Sequence, residues 1–172
     1  MPRYRRERSV STTPSSKTPL SERCSSPCRH EASASLLPKA KFYFFDIGVV
    51  HALIGQHQLA EGTDSWGRAF ETFIFMELSA HASYAKDKEE LAFWRTIDHE
   101  EVDFVWRGEV AIEVKASRHV HVGDLKGLAA LHEDQHMRRR ICVCREKERR
   151  RIGEFEIVPY QEFLDELWGD AL

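Results

Sequence analysis

No apolar run in this sequence is long enough to cross a bilayer. Arg3, Arg5, Arg6 and Arg8 are followed by no apolar segment, so a secretory signal is not expected, and the Arg5-Arg6 pair is only a weak twin-arginine lookalike. Cysteine is sparse, at 4 residues in 172, which argues against an oxidised scaffold. Cys24 and Cys28, with His30, lie in a Ser/Pro-rich stretch with no second ligand pair. Cys142 and Cys144 alternate along an expected strand and are read as pointing to opposite faces, unable to share one ion. All four are read as reduced thiols of a cytoplasmic protein. The G-x-x-x-x-G-K-[ST] phosphate loop is missing too, which excludes an ATPase of that type.

A general excess of positive charge is also lacking. Residues 1–40 hold 8 Lys+Arg and 3 Asp+Glu, a net of +5, while residues 41–172 hold 17 and 25, a net of −8. An acidic body does not fit non-specific nucleic-acid binding. Two local clusters, Arg138-Arg139-Arg140 and Lys147 through Arg151, could touch phosphates or simply cap a strand pair in solvent.

Residues 1–38 are rich in Ser, Thr, Pro and Arg and poor in large apolar side chains, so they cannot offset the entropy of ordering and are expected to be disordered. Residues 39–172 are expected to form one domain, opening with Phe42-Tyr43-Phe44-Phe45 and a short helical turn over Val49–Ile54. Trp66–Tyr84 has helical apolar spacing through Trp66, Phe70, Phe73, Ile74 and Leu78, with Asp64 or Ser65 as N-cap. Strands are expected at 91–96, 101–107 and 110–116, then a helix over 124–135. Strands at 140–145 and 153–158 and a closing helix over 161–168 complete the chain. The order helix, three strands, helix, two strands, helix defines an α/β class of the α+β kind, a mixed sheet with helices packed on its faces.

The stretch 101–117, EVDFVWRGEVAIEVKAS, carries the chemistry. Simple alternation puts Val102, Phe104 and Trp106 on one strand face and Asp103 with Val105 on the other. In the next strand Ala111, Glu113 and Lys115 share a face. Two carboxylates and an ammonium can thus meet on one side of a hairpin. A hard cation such as Mg2+ takes oxygen ligands and needs one or two carboxylates, which Asp103 and Glu113 could supply. Lys115 could then orient a water or offset charge building on a phosphate. The plain alternative is an exposed salt bridge. A three-residue loop, Arg107-Gly108-Glu109, pairs Asp103 with Glu113; a two-residue loop sends Glu113 to the opposite face, and Gly108 suits either.

Two other patterns compete. His132-Glu133-Asp134-Gln135-His136 matches H-E-x-x-H, but the helix is expected to end at His136 and no third zinc ligand stands out. His119 and His121 follow Lys115 and would share its face if the strand continued.

Four blocks in order, KFYFFDIGVV, GRAFETFIFMEL, FWRT…EVDFV and IEVKAS, resemble a domain of unknown function that follows an AAA-type ATPase module in many bacterial and archaeal proteins. Together with the Asp…Glu-x-Lys signature they resemble the PD-(D/E)xK nuclease-like group, over about residues 41–168. That resemblance implies a restriction-endonuclease-like core and metal-dependent hydrolysis of DNA phosphodiesters with Mg2+ or Mn2+. It implies that Asp103 and Glu113 bind the metal, that Lys115 is catalytic and that Glu71 completes the site from its helix. It also implies an ATPase partner, although residues 1–38 match nothing in the ATPase module; a shortened copy of such a protein is one expectation. The alternative is an inactive DNA-binding or docking module.

Overall fold

The computed structural model describes residues 22–24, 26–27, 41–44, 46–53, 55, 58–84, 91–95, 100–134 and 136–172. Within the segment expected to be disordered, Glu22–Cys24 (β1) and Ser26–Pro27 (β2) depart from that expectation as short strands; the rest of residues 1–38, Cys28 and His30 included, lies outside the described residues. The folded body continues with β3 (Phe42–Phe44), α1 (Ile47–Leu53) and α2 (Asp64–Tyr84). Three strands follow, β4 (Leu91–Arg95), β5 (Glu101–Trp106) and β6 (Val110–Val114). A 3-10 turn over Val122–Leu125 leads into α3 (Lys126–Asp134). Then come β7 (Arg139–Cys144), β8 (Arg150–Ile152), β9 (Phe155–Pro159) and α4 (Tyr160–Trp168). The mixed α+β class read from the sequence is the class observed.

Four strands were not anticipated: β1, β2, β3 and, within the folded body's second half, β8. Arg150–Ile152 forms β8, antiparallel to β9, with Gly153 at φ 57 in the turn between them. Its sequence, RRI, has little apolar patterning, so periodicity gives no signal for it. The main sheet runs β2-β4-β5-β6-β7-β9-β8, with β6, β7 and β9 parallel and the hairpins antiparallel, while β3 pairs with β1 outside it.

Each face of the sheet buries its own core. On one face α2 contributes Phe70, Ile74, Phe75 and Leu78 and α4 contributes Phe163 and Leu167, against Phe104, Trp106, Ile112, Ile141 and Val158. The i, i+4, i+8 spacing of Phe70, Ile74 and Leu78 makes α2 amphipathic. Phe75 is buried at 2% exposure, whereas Phe73, read as inward, is 39% exposed. The first turn is capped from outside the helix, because the Trp66 N–H donates to Thr63 Oγ1 at 3.3 Å; Thr63, not Asp64 or Ser65, satisfies that orphan donor. On the other face Leu125, Leu128 and Leu131 cover Val102, Val105, Ala111, Cys142 and Ile157. Full burial of each such Leu contributes roughly 1.5–3 kcal/mol. Cys142 and Cys144 lie together in this second core, buried and free, because residues two apart on a strand share a face; the opposite-face reading is corrected.

Gly127 explains how closely α3 sits on the sheet. A Cβ there would stand 1.8 Å from the Glu101 carbonyl oxygen. Only glycine lets the helix start this close to β5, two residues before Asp103.

Candidate active site

The site forms where β5 and β6 part. Their pairing joins Trp106 with Val110, Val105 with Ala111 and Phe104 with Ile112, which leaves the three residues Arg107-Gly108-Glu109 as the loop. Arg107 (φ 53) and Gly108 (φ 71) both take the left-handed region, and the Glu109 N–H donates to the Trp106 carbonyl at 3.0 Å. Such a turn matches the strand twist, and the pairing of Trp106 with Val110 sets the register that aligns Asp103 with Glu113 rather than the two-residue alternative.

On the other side of β5 the ladder shifts by one residue. Ala92 pairs with Val105 but Trp94 with Val102, so Phe93 faces the pair Asp103-Phe104 as in a β-bulge. Val102 therefore joins Val105 in the α3-side core, while Phe104 and Trp106 stay in the α2-side core. The simple alternation of 102, 104 and 106 on one face, with Asp103 beside Val105, is corrected by that extra residue. It frees Asp103 from the strand's alternation and turns its carboxylate toward β3 and α2.

Asp103, 7% exposed, is held on both oxygens. Oδ2 accepts the Val114 N–H at 2.9 Å, standing in for a ladder carbonyl where the strands separate. Oδ1 accepts from Lys41 Nζ at 2.7 Å. Lys41 also donates to Glu71 Oε1 at 3.3 Å and lies 3.8 Å from Glu101. Glu71 Oε1 takes a second bond, from the Tyr43 hydroxyl at 2.5 Å. Glu113, 6% exposed, pairs its Oε1 with Lys115 Nζ at 2.7 Å, while its Oε2 is buried without a partner.

The electrostatics follow from crowding three carboxylates in a region poor in water. Burial, then the Asp103 charge, pushes Glu113 up to about 8. The same two causes raise Glu71 above the usual carboxylate range, against the pull of Lys41 and Tyr43. Burial opposes both ammonium groups, but Asp103 and Glu71 outweigh it at Lys41, and Glu113 outweighs it at Lys115, so both lysines are held charged. Burial and the neighbouring Glu71 raise the Tyr43 phenol as well, keeping it a hydrogen-bond donor. A cleft of about 380 Å³ opens beside this network, lined by Lys41, Tyr43, Arg68, Glu71 and Glu101 among others.

The four residues expected at a site lie in two contact groups, Glu71 with Asp103 through Lys41 and Glu113 with Lys115, and the charge of Asp103 acts on both. Glu71 is on one side with Lys41; Glu113 and Lys115 are on the other. Among the described residues no group of three or more His, Cys, Asp or Glu is placed to hold a metal ion as it stands. The donor chemistry nonetheless fits a hard cation on the Glu113 side, where a buried carboxylate oxygen is unpartnered beside a second carboxylate. Lys41 and Tyr43 were missed as site residues. They sit in the block KFYFFDIGVV, whose apolar character hides two polar groups at i and i+2 that share a strand face.

The two competing patterns separate in space. His136 lies beyond the end of α3 at Asp134, and His132 pairs with Glu154 at 3.1 Å, so the H-E-x-x-H histidines share no helix face. β6 ends at Val114, and His119 and His121 are exposed loop residues with rings 4.7 Å apart, off the Lys115 strand.

Residues 66–163, more than half of the chain, match the family described as domain of unknown function DUF4143. The protein belongs to the DUF4143 family. That match runs from the start of α2 into α4, so all of the site except Lys41 and Tyr43 falls inside the DUF4143 region. Comparison with curated proteins and with solved structures finds no match for the chain. No helix among the described residues is long and apolar enough to cross a membrane.

Proposed function

We propose that this DUF4143 domain is a PD-(D/E)xK-type nuclease that hydrolyses DNA phosphodiester bonds with the help of Mg2+ or Mn2+. The observation that carries this reading is Glu113: a carboxylate buried at 6% exposure, one oxygen unpartnered, crowded by Asp103 and gripped by Lys115. A structural salt bridge gains nothing from burying a second acid beside it. A site that must bind positive charge does.

Asp103 and Glu113 would hold the cation, with Glu71 within reach through the Lys41 bridge. When bound, the cation supplies Lewis acidity and a more acidic water. Lys115, 35% exposed at its side chain, can turn from Glu113 toward the scissile phosphate and offset the charge that builds on its oxygens. Asp103 is kept from rotating by the Val114 N–H, which fixes where its free lone pairs point. Burial of Glu113 against Cys142, its register partner on β7, keeps water off that side of the site. An AAA-type ATPase, attached or separate, is the proposed partner, on the strength of the four resembling sequence blocks.

The test is a cleavage assay on branched, single-stranded and double-stranded DNA with Mg2+ or Mn2+, comparing the full chain with Lys115→Ala. The wild type should cut at least one substrate, and the variant should lose about 10²-fold or more in rate. Equal cutting by both proteins would show the site to be misassigned. A second reading, a DNA-binding or docking module without catalysis, is favoured by the engagement of both Asp103 oxygens by Lys41 and Val114. It takes over if the wild type binds DNA and cuts none.

A further inference from the structure

The metal-dependent reading leaves one group without a role. Lys41 Nζ lies within bonding distance of Asp103 Oδ1 at 2.7 Å and Glu71 Oε1 at 3.3 Å, at the centre of the acidic cluster. Resting on that reading, we propose that Lys41 is a resident counter-ion, which occupies Asp103 while the site is unloaded and swings out to Glu101 when a divalent cation enters.

The count of available oxygens leads to this. A small hard cation requires close carboxylate oxygens at about 2.0–2.1 Å. Of the four oxygens on Asp103 and Glu113, Asp103 Oδ2 is held by the Val114 N–H, Asp103 Oδ1 by Lys41 and Glu113 Oε1 by Lys115. Glu113 Oε2 alone is unpartnered, and it is buried. A cation that takes it can recruit Asp103 through the oxygen that Lys41 holds or through the remaining lone pair of Oδ2 on the same carboxylate. An ammonium and a divalent ion on one carboxylate would stand a few ångströms apart in a poorly hydrated pocket, where their repulsion is strong.

The exit is visible as well. Glu101 lies 3.8 Å from Lys41 Nζ, and its side chain is 42% exposed, against 9% for Asp103. Lys41 and Glu101 both line the cleft of about 380 Å³, so a rotation of the flexible lysine stem carries the ammonium from the interior to a solvated partner. Glu71 would be released by the same motion and keep its Tyr43 hydrogen bond. Lys41 thus acts as a positioning group: it prevents the crowded acids Glu71, Asp103 and Glu113 from repelling one another when no metal is present.

Two measurements on the full chain test this. The first is Mn2+ binding, read by the loss of the free-ion paramagnetic resonance signal, for wild type, Lys41→Met and Lys41→Arg. Lys41→Met should bind Mn2+ about tenfold or more tightly than wild type, and Lys41→Arg no more tightly than wild type. A lysine that served only to hold the fold would give weaker binding on substitution, and equal or weaker binding by Lys41→Met overturns the proposal. If none of the three binds Mn2+, the metal-dependent reading falls together with it; tight and equal binding by wild type and Lys41→Met sinks the counter-ion role alone. The second measurement needs no substitution. Acylation of wild-type lysines, followed by mass spectrometry, should show Lys41 labelled several-fold faster in saturating Mg2+ while the exposed Lys126 is unchanged. An unaltered Lys41 rate in saturating Mg2+ overturns the proposal.

Discussion

Replacing Glu113 with glutamine should make the fold more stable at alkaline pH and leave it little changed at pH 5. The groups facing Glu113 are Asp103, Lys115, Lys41 and the Cys142 thiol. Burial and Asp103 raise the Glu113 carboxyl from its ordinary 4.5 to about 8. The folded chain therefore binds this proton more tightly than the unfolded chain. The stability that the proton supports is complete below pH 4.5 and is lost as pH rises through 8. At about 1.4 kcal/mol per pH unit, the interval from 4.5 to about 8 sets a ceiling of about 5 kcal/mol. The pull of Lys115 and Lys41 on the ionised acid is already contained in the value of about 8, so a loss of up to about 5 kcal/mol is expected. Urea unfolding of wild type and Glu113→Gln in EDTA, at half-unit steps from pH 5 to 9, measures it. The wild-type curve should fall across that window and the glutamine curve should fall less, the two starting together near pH 5 and separating as pH rises. Parallel curves would refute the reasoning, because they would mean that Glu113 neither lacks water nor feels Asp103.

Two further outcomes concern the frame around the site. Gly127→Ala should cost about 3 kcal/mol or more, since the added carbon meets a backbone oxygen that cannot rotate away, and in a domain of this size that lowers Tm by about 6–12 °C; an unchanged melting temperature would place α3 further from β5 than described. Glu146 accepts from Arg150 at 2.7 Å and from the Val120 N–H at 2.7 Å, and its carboxyl is held down at about 2. Its contribution is therefore present above pH 4.5 and disappears as pH falls toward 2, and Glu146→Gln should cost about 1–3 kcal/mol at pH 7 but nothing at the acid end, as followed by urea unfolding.

Much of the frame was legible in the sequence because it rests on periodicity. The 3.6-residue spacing of Phe70, Ile74 and Leu78 gives α2, and the alternation in Val110–Val114 gives β6. Three things were not legible, each for a physical reason. β8 has no apolar pattern because it is an edge strand whose residues are half-buried or exposed. The bulge at Asp103 breaks a rule that assumes one residue per ladder step, and only the partner strand reveals the break. Lys41 and Tyr43 reach the site through a contact 62 residues away in sequence for Lys41–Asp103 and 28 for Tyr43–Glu71, and no local spacing rule spans such distances. The aligned register of Asp103 and Glu113, by contrast, was one of two stated options, and the pairing of Trp106 with Val110 decides between them.

The extra residue in β5 puts the strand out of phase with itself. Upstream of Asp103 an even-numbered side chain, Val102, serves the layer under α3; downstream the even numbers, Phe104 and Trp106, serve the opposite layer. Deleting Asp103 itself would restore a regular ladder with Val102, Phe104 and Trp106 in the layers they hold now. The acid is therefore locked to its irregularity: a lineage that regularises the strand and keeps the acid must give up a core side chain, Val102 or Phe104, to make room for it.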